Sequence, residues 1–96
     1  MPRLEYSPQA VEHADRLVGF LRESDPTVAE QTFGLIEAAV NTLRDHPLIG
    51  RPAENGLREL VISRGKSGYL ALYLFDEHDD RVIILALRHQ READYE

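Results

Sequence analysis

An α+β fold in the order β-α-α-β-β-β, with a helical hairpin packed on one face of a mainly antiparallel sheet, is what this chain predicts, and three observations carry the prediction. Residues 57–95 hold three apolar runs rich in β-branched and aromatic residues, parted by a Gly/Lys/Ser turn and an Asp-rich turn, which is the pattern of a three-stranded meander. Residues 8–43 hold two apolar stripes at helical spacing, each opened by a capping residue and a proline. Arg3-Leu4-Glu5-Tyr6 alternates polar and apolar, as a short half-buried strand does.

In chain order, Arg3–Tyr6 reads as an edge strand. Ser7-Pro8 supplies a side-chain oxygen to cap a helix and a proline for its first turn, where no amide hydrogen bond is lost. Val11, Ala14, Leu17, Val18 and Leu21 then form one stripe directed at the sheet. Asp25-Pro26 repeats the start signal, so the first helix ends near Glu23 or Ser24, the second begins at once, and the two lie antiparallel. The second stripe is Ala29, Phe33, Ile36, Val40 and Leu43, widened by Leu35 and Ala39, and the helix stops before His46-Pro47. Gly34 inside it costs about 1 kcal/mol of helix stability relative to alanine, which a close helix-helix approach would offset. Asp45–Gly56 shifts to Pro, Gly, Asn and charge, a connecting loop that Leu48 and Ile49 should anchor to the core.

The meander strands carry the functional clue. Tyr69–Phe75 and Val82–Leu87 are apolar at consecutive positions, so hydrophobic side chains stand on both sheet faces. Two helices cover one face. The other is expected to lie open and to want a partner, because contiguous exposed apolar surface marks binding sites.

Ninety-six residues fit a single domain spanning 1–96, and a composition 43% hydrophobic and 29% charged excludes a disordered or fibrous chain. The formal charge of -6 is the wrong sign for a general nucleic-acid binder, whose affinity comes from phosphate neutralisation. Without cysteine there are no disulfides and no thiolate chemistry, in keeping with a reducing compartment. No apolar run approaches the roughly 20 residues that span a bilayer, and Met1–Ser7 has no export-signal core, so a cytoplasmic protein without membrane contact is expected.

Chemistry could sit where the last strand ends, at Arg88-His89-Gln90-Arg91-Glu92 with Tyr95. Histidine titrates near neutral pH and arginine stabilises phosphate charge. In an antiparallel pair that end lies beside the start of the middle strand at Gly68, which brings a basic patch of Arg64 and Lys66 close by. The same residues also suit a solvated strand end whose charges block edge pairing. His13, His46, His78 and His89 lack i, i+4 pairing, and the acidic run Asp76–Asp80 lacks the glycine of a calcium loop, so no metal and no cofactor is expected. Gly65-Lys66-Ser67-Gly68 sits between strands with no helix after it, unlike a phosphate loop.

The order of elements, His46-Pro47-Leu48-Ile49-Gly50-Arg51-Pro52, Gly68-Tyr69-x-x-x-Tyr73 and the Arg88–Glu92 ending together resemble the RelE/ParE superfamily of toxins from bacterial type II toxin-antitoxin systems. The resemblance spans nearly the whole chain and implies a small toxin silenced by a cognate antitoxin wrapped around the hairpin and the open sheet face. Leu70, Leu72, Tyr73, Leu74 and Ile84 are the expected contacts, and DNA would be met only indirectly, through the antitoxin. The superfamily divides into ribosome-dependent messenger RNA endonucleases, similar to RelE, and inhibitors of DNA gyrase, similar to ParE. A nuclease would use His89, Tyr95, Arg88 and Arg91, but the arginine that follows Gly-Tyr in that branch is Leu70 here. The His46–Pro52 loop and the His89-Gln90 pair look closer to ParE, a binding inhibitor. The resemblance therefore implies DNA gyrase as target, with the ribosome, or binding without toxicity, as the alternatives.

Overall fold

The computed structural model describes residues 1–64 and 67–95, the side chains at 63, 64 and 67 excepted. Strand β1 (Arg3–Tyr6) leads into helix α1 (Pro8–Ser24), helix α2 (Pro26–Asn41), β2 (Arg51–Pro52), β3 (Arg58–Arg64), β4 (Ser67–Asp76) and β5 (Arg81–His89). The strands lie in the order β1-β5-β4-β3-β2, with β1 parallel to β5 and the other pairs antiparallel. This is the predicted architecture with one addition. The two-residue β2 lies within what reads as a loop, and its Pro52 is tolerated because the strand is an edge.

The caps act as the sequence requires. Ser7 Oγ accepts the Ala10 N–H at 3.1 Å. Asp25 alone closes α1 and opens α2: its N–H donates to the Leu21 carbonyl at 2.7 Å, while its carboxylate accepts the Thr27 and Val28 amides at 3.1 and 3.3 Å. With one residue between them, the helices pack as an antiparallel hairpin on the sheet, α1 over β5 and α2 towards β3.

The buried faces keep most of the expected stripes but depart from them at Val11 and Phe33. Ala10, His13, Leu17 and Val18 of α1 and Ala29, Thr32, Ile36 and Val40 of α2 are buried, whereas Val11 and Phe33 are each 47% exposed. Periodicity groups residues on a face but leaves the roll to packing, and here Ala10 and Ala29 are fully buried. Gly34 is exposed with no atom within 4 Å of where a Cβ would stand, so no helix contact compensates it.

Burial of His13 has a backbone cause. Because β1 stops at Tyr6, the β5 edge beyond Ile84 has no strand beside it. The Ser7 N–H donates to the Ile84 carbonyl at 2.8 Å, the Ser7 hydroxyl to the Leu85 carbonyl at 2.9 Å, and the Leu87 N–H to His13 Nδ1 at 3.1 Å. The start of α1 thus satisfies groups that a longer β1 would have paired.

The core joins Leu17, Ile36, Val40 and Leu43 to Leu60, Ile62, Tyr69, Ala71, Tyr73, Val82, Ile84 and Leu87. Leu72 faces Ala86 but Tyr73 faces Ile84, which leaves Leu85 as a bulge that puts both Ile84 and Leu87 on the helix side. Tyr73 and Ile84 are fully buried there, so they belong to the core and offer nothing to a partner, contrary to expectation.

The connecting loop is also held differently. The Tyr73 hydroxyl donates to the Pro47 carbonyl at 2.7 Å and accepts the Gly50 N–H at 2.9 Å, and Arg58 Nη1 donates to the carbonyls of Gly50 at 2.8 Å and Leu48 at 3.2 Å. Leu48 and Ile49 themselves are 54% and 59% exposed, so Tyr73 and Arg58 do the anchoring expected of them.

Candidate functional site

Two surfaces have the chemistry to matter: the end of β5 with the tail behind it, and the groove between the helices. The tail is placed first by backbone. The Gln90 N–H donates to the Gly68 carbonyl at 2.9 Å, and a Cβ on Gly68 would lie 2.5 Å from Gln90 Oε1, so the glycine leaves space for the Gln90 side-chain amide. The end of β5 does lie beside the start of β4, as antiparallel pairing requires. Lys66 and the Arg64 side chain, the expected basic patch, lie outside the described residues.

Consecutive strand residues point to opposite faces, and this divides the expected nuclease set. His89 stands on the helix side, its ring edge-on to Tyr69 with centroids 5.2 Å apart and its Nδ1 accepting the Arg91 N–H at 3.1 Å. Arg88 stands on the other face, its guanidinium 5.1 Å from the centre of the Tyr95 ring and donating to the Glu92 carbonyl. Arg91 is exposed. His89 and Tyr95 thus stand on opposite faces of the sheet.

On the open face the Tyr95 hydroxyl donates to Glu59 Oε2 at 2.6 Å, and Arg51 Nε donates to Glu59 Oε1 at 2.9 Å. Burial raises the Tyr95 pKa, and the hydrogen bond to Glu59 and its negative charge raise it further, so the phenol stays protonated and donating. Burial works against the charge on Glu59, but Tyr95 and Arg51 outweigh it and hold the carboxyl below the usual range. Nothing in the sequence marks Glu59 or Arg51, which lie 36 and 44 positions from Tyr95, as its companions.

Tyr95, stretched from Arg88 on β5 to Glu59 on β3, crosses β4 on the face of Leu70 and Leu72. This corrects the expectation of a wholly open sheet face. Leu70 is only 5% exposed and Ala86 only 2%, while Leu72, Leu74, Ile83 and Leu85 stay half-buried and Val61 is 48% exposed. The chain's own tail takes one end of the surface that a partner was expected to cover.

The groove is the stronger apolar opening. Tyr6, Val11, Ala14, Val18, Phe33 and Ile36 line a cavity of about 230 Å³ between the helices, with Asp15 and Glu37 at its polar margin. The Tyr6 hydroxyl titrates higher than an ordinary phenol, through burial first and the nearby Glu37 charge second. Val11, Ala14, Val18, Phe33 and Ile36 belong to the two sequence stripes, which read as directed at the core.

A family model described as the ParE toxin of the type II toxin-antitoxin system parDE matches residues 4–94. Two curated Caulobacter vibrioides proteins are similar: Toxin RelE3, 30% identical over 92 residues covering 96% of this chain and 98% of that protein, and Toxin RelE1, 36% identical over 67 residues covering 70% and 72%. A solved structure described as a chromosomal ParDE toxin-antitoxin system from P. aeruginosa shares the fold, with a TM-score of 0.72 at 22% identity over 88% of this chain and 91% of that one. Among the described residues, no helix is long and apolar enough to cross a membrane.

Proposed function

We propose, from the premise that this chain belongs to the ParE toxin family of type II toxin-antitoxin systems, that it arrests growth by binding DNA gyrase and cuts no RNA. One observation carries the choice between those modes. The residues suited to phosphoryl chemistry are split between two sheet faces, and on the open face Glu59 already occupies Tyr95 and Arg51 with a carboxylate where a phosphate would need cations. With its pKa raised, the Tyr95 phenol stays protonated at neutral pH and is not available as a general base. The charge of -6 also suits a protein target better than ribosomal RNA.

A toxin of this kind has an antitoxin as partner. We place the antitoxin in the helix groove, on Val11, Phe33 and Tyr6, and on the half-buried strip of Leu72, Leu74, Ile83 and Leu85, in place of the expected Tyr73 and Ile84. DNA is reached only through the antitoxin.

The deciding experiment is supercoiling of a relaxed plasmid by gyrase with purified, antitoxin-free protein. Inhibition is expected. Full supercoiling at large toxin excess, together with messenger RNA cleaved in a translating extract and protected by His89→Ala, would replace this reading with the nuclease one.

A further inference from the structure

We propose that the cavity lined by Arg16, Leu17, Phe20, Leu21, Tyr69, His89 and Glu92 is a socket for an acidic side chain flanked by an apolar one on a segment of the antitoxin, and that Glu92 of the chain's own tail forms its polar wall and holds Arg16 meanwhile. The inference rests on the toxin-antitoxin reading and adds the chemistry that the partner must bring.

The socket encloses about 480 Å³, within the range of roughly 300–1,000 Å³ usual for ligand clefts. Its walls are apolar: Leu17 and Tyr69 are buried at the floor, and Phe20 stands 74% exposed at the rim. Its polar side is made for a carboxylate. Arg16 Nη1 and Nη2 each donate to one oxygen of Glu92 at 3.2 Å, and the His89 main-chain N–H reaches Oε1 at 3.4 Å. A planar fork meeting two oxygens is the geometry by which arginine selects carboxylates. The hydrogen bond from Arg16 is also the main reason the Glu92 carboxyl titrates below its usual range.

Glu92 is held in a way that permits exchange. It belongs to a tail of turns and bends without helix or strand, and the Arg16 and Glu92 side chains are 48% and 28% exposed. Such segments open at low free-energy cost. The arginine fork would also accept a phosphate, but the aliphatic and aromatic walls and the carboxylate already seated there favour an acidic peptide. Position favours the antitoxin as its source. Arg16, Leu17, Phe20 and Leu21 flank the socket, while Val11, Ala14 and Val18 of the same helix line the groove, so one segment crossing α1 could fill both.

The test uses the full-length, isotope-labelled protein and two blocked synthetic peptides that differ in one residue, Leu-Glu-Leu and Leu-Gln-Leu at the centre. The acidic peptide should shift the amide signals of Arg16, His89 and Glu92 and bind about tenfold more tightly than its amide twin. Glu92→Gln should tighten that binding by removing the internal competitor, and Arg16→Ala should erase the difference between the peptides. Equal binding of the two peptides, no binding of either, or displacement of Glu92 by inorganic phosphate as readily as by the acidic peptide would overturn the socket. Shifts confined to the Val11–Phe33 groove would overturn it too, while leaving the antitoxin reading intact; the growth-arrest reading fails separately if expression without antitoxin is harmless.

Discussion

The hydroxyl of Tyr95 donates to the carboxylate of Glu59 at 2.6 Å, tying the chain's tail back across the middle strand to the far side of the sheet. The contact carries Tyr95 across the face on which Leu70 is 5% exposed and leaves its hydroxyl donating to a carboxylate.

Acid should loosen this tie. Glu59 has a folded-state pKa below its ordinary value, so its contribution is present above the ordinary carboxylate range and is lost as pH falls through the folded pKa. Chemical denaturation across the acid range should show the wild type losing stability there and Glu59→Gln losing less. For Tyr95 the sign reverses: its raised pKa gives stability that is present below the ordinary phenol range and lost as pH rises through the folded value. Tyr95→Phe should flatten that alkaline loss and cost about 1–2 kcal/mol at neutral pH.

The loop hung on Tyr73 offers a second check. A Cβ at Gly50 would lie 2.5 Å from the Tyr73 ring, inside a fully buried site, so Gly50→Ala should destabilise by about 1–3 kcal/mol. Tyr73→Phe removes the hydroxyl without adding bulk and leaves the Gly50 N–H and Pro47 carbonyl unpaired, for a loss of about 1–3 kcal/mol. Each would appear as a lower denaturant midpoint at unchanged slope.

Gly34 should behave in the opposite way. It lies in the middle of α2 with open space around it, so Gly34→Ala is expected to stabilise by about 0.5–1 kcal/mol. A midpoint that stays level or falls would mean that the site touches something the free chain does not show.

Antitoxin binding should depend on the groove. Phe33 is 47% exposed beside Val11 and Ile36, and Phe33→Glu puts a charge where an apolar partner must settle. A loss of about 2 kcal/mol, roughly thirtyfold in Kd, is expected with thermal stability nearly unchanged. Titration calorimetry against the antitoxin would read it, and an unaltered Kd would remove the groove from the interface.

The local decisions of this fold are written in adjacent residues. Ser7-Pro8 and Asp25-Pro26 set both helix starts because a capping oxygen and a proline act within one turn, and the Asp-rich turn with its apolar flanks sets the β4–β5 hairpin for the same short-range reason. Strand alternation even implies that Arg88 and His89 part company. The exposure of Val11 and Phe33, the bulge at Leu85, the burial of His13 against an unpaired edge and the return of Tyr95 to Glu59 were decided only when the elements packed. Each depends on what a residue meets across space, and a period of hydrophobicity records which side chains travel together but carries no information about what they will face.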